Sequence, residues 1–120
     1  MNLYESNHLG GSNVFGIEGQ EGYSVRTYTL NYLFESGLID HIDFLKVDIE
    51  GAELDFLAGA EQTLRKLQPQ IAIAAYHSVD HIRRITNQVL EFMPNARVYM
   101  RHYTEGFAET DLFFIPERYW

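Results

Sequence analysis

Two short, almost uninterrupted apolar runs, "FLKVDI" (residues 44–49) and "QIAIAAY" (residues 70–76), constrain this chain more than any other feature. Such runs suit strands that are covered on both faces, as strands of parallel sheets are. Between them, Leu54, Leu57, Ala60, Leu64 and Leu67 recur at helical spacing, which predicts one helix from Ala52 to Gln68. Glu53 and Asp55 in its first turn and Arg65 and Lys66 in its last complement the helix dipole, and Pro69 ends it. A strand, a helix and a strand in that order predict a parallel pair joined by a right-handed crossover.

The pattern extends in both directions. "YSVRTYTL" alternates like a strand, and "LNYLFESG" reads as a short helix stopped by Gly37. After the second apolar run, Ser78 can cap a helix whose inward face is Val79, Ile82, Ile85, Val89 and Phe92, with Pro94 as its stop. "ARVYMRHY" and "TDLFFIP" then read as two strands joined by the hairpin-like loop "TEGFAE". Residues 1–22 hold most of the glycines and read as a loop-rich segment ahead of a unit spanning 23–120. The expected architecture is α/β, a mostly parallel sheet with a final antiparallel strand.

Composition narrows the functions open to such a unit. At 120 residues there is room for one domain and too little for two. A formal net charge of −8 and scattered basic residues argue against a nucleic-acid partner, because phosphate backbones reward clustered Lys and Arg. Arg65-Lys66 and Arg83-Arg84 fall where helices expose them. With no cysteine there is no disulfide, thiolate nucleophile or Cys-based metal site. No stretch approaches the ~20 apolar residues of a membrane span, and no leader resembles a signal peptide, so the expectation is a cytoplasmic protein with no membrane partner.

Ligands of parallel α/β sheets collect outside the carboxyl ends of the strands. Asp48, Glu50, Tyr76 and His77 fall at those ends. Lys46, Asp48 and Glu50 are two apart and share one face of an extended strand. The carboxylates either overhang the cleft, where they can fix a substrate amine or hydroxyl, hold a divalent metal or accept a proton, or cap free backbone N–H groups with Lys46 as a partner. His77 is either a general base or a hydrogen-bonded strand-end residue. His81 lies four residues on, inside a helix and without an HExxH pattern, so a dedicated zinc site is not expected. The loop carrying His102, Glu105 and Phe107 is either a lip over substrate or a solvated hairpin. No GxGxxG, GxxxxGK[ST] or GxSxG motif occurs.

The run "VRTYTLNYLFESGLIDHIDFLKVDIEGAELDFLAGAEQTLRKLQPQIAIAAYH", together with "YMRHYTEGFAETDLFFIP", resembles the FkbM family of S-adenosylmethionine-dependent methyltransferases. The family's hallmark is an iKiDvEGaE segment followed by a helix, a Pro and a strand ending in His. The similarity runs from about Val25 to Pro116. It implies a Rossmann-like methyltransferase sheet of which this chain is the C-terminal half, and methyl transfer from S-adenosylmethionine, commonly to oxygen. The chain departs from the family in three places. The glycine-rich cofactor loop is missing, Asn31 stands where the family has Asp, and Ala75 stands where it tends to have Glu.

By that resemblance, Asp48 and His77 are the expected catalytic residues and Asp48 and Glu50 the expected cofactor contacts. Glu50, Tyr76, His102 and Glu105 are the expected substrate contacts. The mechanism requires no metal. The partner implied is a small-molecule hydroxyl acceptor, open among sugars, polyketides, lipids and peptides. With half its site absent, the isolated chain is expected to be inactive; a non-catalytic interaction module derived from the same fold is the alternative. The strand "FLKVDI" would become an exposed edge. It should pair with another copy or with an N-terminal half, or be covered by residues 1–22.

Overall fold

The computed structural model describes residues 26–106 and 109–120 in full, and the backbone of residues 2–5, 12–13 and 22–24. Three short strands come first: β1 (Asn2–Glu5), β2 (Ser12–Asn13) and β3 (Gly22–Ser24), paired antiparallel in the order β2-β1-β3. Part of the expected loop-rich segment is therefore a small sheet of its own. Of the alternating "YSVRTYTL", only Tyr23 and Ser24 belong to a strand; Val25 lies outside the described residues and 26–29 are irregular. Helix α1 (Leu30–Glu35) follows, with the Thr29 hydroxyl accepting the N–H of Tyr32 at 3.0 Å. Gly37 leaves the helix end at φ 78°, a conformation that favours glycine.

The remainder is β4 (Phe44–Val47), α2 (Glu53–Ala58), α3 (Glu61–Leu67), β5 (Gln70–Ala74), α4 (His81–Phe92), β6 (Arg97–His102) and β7 (Thr110–Ile115). A 3-10 turn, Glu117–Tyr119, closes the chain. The four longer strands form one sheet in the order β4-β5-β7-β6. Only β4 and β5 are hydrogen-bonded in parallel; β7 is antiparallel to both β5 and β6. The expected mostly parallel sheet is corrected accordingly: one pair is parallel and the rest antiparallel, because the last strand inserts between β5 and β6. Strands β4, β5 and β6 still point the same way, so their carboxyl ends share one side of the sheet.

The core lies where the helices cover β5 and β7. Ile71, Ile73, Leu112 and Phe114 are buried beneath Leu57, Leu64, Ile85, Val89 and Met93. β5 behaves as the strand covered on both faces that its sequence predicts, with Ile71 through Ala74 all buried. β4 does not. Phe44 is 56% exposed and only Val47 is buried, because β4 is an edge strand with β5 as its one neighbour among the described residues. β1–β3 pair with one another and, among the described residues, form no ladder with it.

The single helix expected from Ala52 to Gln68 is two. The break falls at Gly59-Ala60, where the carbonyl of Gly59 accepts the N–H of Asn31 at 3.0 Å. A side chain at Gly59 would sit 2.8 Å from Thr29 Cγ2, so the close approach needs glycine. Asn31 completes the joint: its Oδ1 accepts both the N–H (3.0 Å) and the hydroxyl (2.9 Å) of Thr63. Gly59→Ala should therefore lower stability by about 1–3 kcal/mol in chemical denaturation. Adding Thr29→Ser, which removes the crowding methyl but keeps the capping hydroxyl, should recover part of the loss. An unchanged midpoint for Gly59→Ala would contradict this close packing.

Candidate active site

Strand β4 ends at Val47, and the chain turns sharply before α2. Ala52 donates its N–H to the carbonyl of Ile49 at 3.3 Å. The two central residues, Glu50 (φ 56°) and Gly51 (φ 102°), both have positive φ, the signature of a type I′ turn. Gly51 adopts this freely, whereas a left-handed Glu costs roughly 1–2 kcal/mol. Glu53 offsets that cost: its Oε1 accepts the N–H of Ile49 at 3.1 Å and of Gly51 at 3.4 Å. The capping work considered for Asp48 and Glu50 thus falls to Glu53, whose side chain is fully buried. Lys46 pairs with Asp111, at 3.1 Å, and leaves both strand-end carboxylates to the cleft.

His77 faces those carboxylates from the end of β5. Its Nε2 is 3.1 Å from Glu50 Oε2 and 3.9 Å from Asp48 Oδ1. Its Nδ1 is 3.2 Å from Glu53 Oε1, on the buried side. Beyond Glu53, Nδ1 of His81 lies 3.7 Å from Oε2. Asp48, Glu50 and His77 offer ligand atoms within 4.8 Å of one another, close enough to share either a proton or a cation.

Glu53 and His81 are the site residues that sequence reasoning passes over. Glu53 reads as a dipole-complementing residue in a helix's first turn, and His81 as a helix position set aside for want of a zinc-binding pattern. The signal was their phase: Glu53 lies one turn before buried Leu57, and His81 one turn before buried Ile85. The inward face expected for α4 is corrected with them. Val79 is fully exposed and Ile82 is 40% exposed, because α4 starts only at His81 and residues 78–80 turn at the cleft mouth.

Tyr76 packs against His77 with ring centroids 4.1 Å apart and the ring planes tilted by 33°. Burial, followed by the charges of Asp48, Glu50, Glu109 and Asp111, pushes its hydroxyl up from 10.0 to about 12. It is therefore a neutral hydrogen-bonding phenol at physiological pH, not a base. Beside it lies a cavity of about 520 Å³ whose wall includes Tyr76, His77, Val79, Ile82, Met100 and His102. His102 Nδ1 is 2.7 Å from the Thr110 hydroxyl, which fixes the ring on that wall. Glu105 is exposed on the hairpin turn and is not part of the wall, although Gly106 beside it is, while Phe107 lies outside the described residues. A second cavity of about 450 Å³, lined by Thr27, Thr29, Ile49, Ala52, Asp55 and Phe56, opens on the other flank of the corner. The structure thus gathers Asp48, Glu50, Tyr76 and His77, places His102 across the cavity, and leaves Glu105 outside.

A mixed α/β sheet with carboxylates and a histidine at its strand ends belongs to the class of α/β domains whose strand ends are the usual ligand-binding position. Comparison with known proteins makes the class specific. The model of the methyltransferase FkbM domain matches residues 2–104, and the chain belongs to that family. Its structure is similar to the crystal structure of methyltransferase FkbM from Methylobacillus flagellatus KT, with a TM-score of 0.60 and 36% identity over 66% of this chain. The match spans 21% of that protein's chain, so this chain is partial relative to it. No curated protein is significantly similar. Among the described residues, no helix is long and apolar enough to cross a membrane.

The left-handed corner sets a test. Gly51→Val places a β-branched side chain at φ 102° and should cost roughly 1–3 kcal/mol in thermal or chemical unfolding. Near-native stability would mean that the corner relaxes to ordinary dihedrals.

Proposed function

We propose that this chain is the cleft-forming C-terminal part of an S-adenosylmethionine-dependent methyltransferase that acts on a hydroxyl oxygen. The observation that carries this reading is the convergence of Asp48, Glu50 and His77 within 4.8 Å at neighbouring strand ends, beside a cavity of about 520 Å³. Family membership supplies the reaction class.

The donor fits these residues in part. Its sulfonium is cationic, and the Asp48 and Glu50 side chains, each 41% exposed, present negative charge to the cleft. When bound, S-adenosylmethionine supplies an electrophilic methyl group. The sequence holds no glycine-rich loop to cradle its nucleoside portion. The chain's own residues then act on the acceptor. Tyr76 and His102 orient it from the cavity wall, and Glu50 anchors it beside His77. Asp48 and Nε2 of His77 point the hydroxyl oxygen at the methyl carbon and take its proton. Because Nε2 lies within 3.9 Å of both carboxylates, the proton remains within the three-residue set. No step needs a metal.

The partial domain also implies a partner. The outer edge of β4 has no neighbour among the described residues, and an N-terminal half or a second copy adding a strand there would complete the sheet. Glu105 would reach substrate only if the hairpin folds over the cavity.

In a complete enzyme, Asp48→Asn should lower methyl transfer by ~10²-fold with little change in stability, since the side chain is part-exposed. Equal losses of stability and activity would assign Asp48 a structural role instead. Calorimetry on the present chain should show weak or no binding of S-adenosylmethionine or S-adenosylhomocysteine, restored when an N-terminal half is supplied. Absence of binding in the complemented protein would favour a non-catalytic interaction module.

A further inference from the structure

Among the described residues, three buried polar atoms around Glu53 have no hydrogen-bond partner: its own Oε2, Nδ1 of His77 and Nδ1 of His81. The cleft chemistry above uses only the other nitrogen of His77, so none of these atoms is accounted for by it. They face one another. Nδ1 of His77 is 3.2 Å from Glu53 Oε1, and Nδ1 of His81 is 3.7 Å from Oε2. Glu53 is fully buried, and the two histidine side chains are only 11% and 9% exposed.

An ionised carboxylate can only accept hydrogen bonds. A bare Nδ1 on either ring would aim a lone pair at it in a dry interior, where such pairing is most costly. One placement of protons resolves all three atoms after small ring rotations. We propose that His77 and His81 both carry a proton on Nδ1 and donate it to Glu53, one to each oxygen. Glu53 is then the positioning residue of the cleft. With Nδ1 committed to the buried side, Nε2 of His77 is the nitrogen presented to Asp48 and Glu50, 3.1 Å from Glu50 Oε2, and the one open to the acceptor's proton. The same Oε1 accepts the N–H groups of Ile49 and Gly51. One carboxylate therefore sets both the corner that carries the two acids and the ring they face. His81 holds the second oxygen and keeps the carboxylate from rotating.

This inference deepens the methyl-transfer reading of the cleft and rests on it, but its test needs no methyl transfer. Long-range proton–nitrogen correlation spectra of the 120-residue chain, labelled with ¹⁵N in histidine, report which ring nitrogen carries a proton. The expected result is a protonated Nδ1 on both His77 and His81. In Glu53→Gln, the carboxamide oxygen stays with the Ile49 N–H and the amide group turns a donor toward His81. The His81 signal should then shift to a bare Nδ1 with its proton on Nε2. A bare Nδ1 on His77 in the unaltered chain would overturn the proposal, as would unchanged His81 signals in a folded Glu53→Gln variant. If that variant does not fold, the spectrum of the unaltered chain decides alone. Failure of the complemented protein to bind S-adenosylmethionine would count against the functional reading and leave these signals untouched.

Discussion

A carboxylate with no solvent exposure holds the working end of this molecule together. Burying an ionised Glu is costly unless charge-assisted hydrogen bonds replace its water, and Glu53 sits among two backbone N–H groups and two histidine rings. It stands at the first residue of α2, where free N–H groups and the helix dipole favour negative charge. From that position it stabilises a left-handed corner that Glu50 would otherwise resist. Removing it would unseat the corner, the ring of His77 and the start of α4 together.

The surrounding architecture serves that arrangement. β5 is buried along its length and fixes where His77 emerges, while β4 delivers Asp48 one strand away. β7 contributes Asp111, which draws Lys46 aside and leaves Asp48 and Glu50 free to face His77. The break at Gly59 lets the start of α1 pack close beneath α2 and α3. Glu50, with its left-handed backbone, and the buried polar pair Glu53 and His81 lie at the cleft end of the sheet, and the apolar core under the helices supplies the stability that tolerates them.

The parts of the fold carried by local apolar patterning were legible in the sequence. β5, the β6–β7 hairpin strands, the stop of α1 at Gly37 and the end of α4 before Pro94 all follow from periodicity and breakers. What failed depended on tertiary contact. Leu54 to Leu67 keep helical phase across the break, so nothing local reveals that Gly59 must meet Thr29. "FLKVDI" looks doubly covered because a strand's neighbours are not written in its own residues; at the edge it exposes Phe44. The placing of β7 between β5 and β6 is likewise a matter of long-range pairing.

The site was legible as residue types at strand ends, and that was enough to point to Asp48, Glu50, Tyr76 and His77. The support behind it was hidden, because Glu53 and His81 resemble ordinary surface residues until two helices pack face to face. The most direct measurement of this account is amide hydrogen exchange at Ile49, which lies beyond the end of β4 and outside every strand ladder. If Glu53 organises the corner, that amide should be protected nearly as well as those of buried β5. Exchange as fast as in the exposed turn around Gly106 would contradict it.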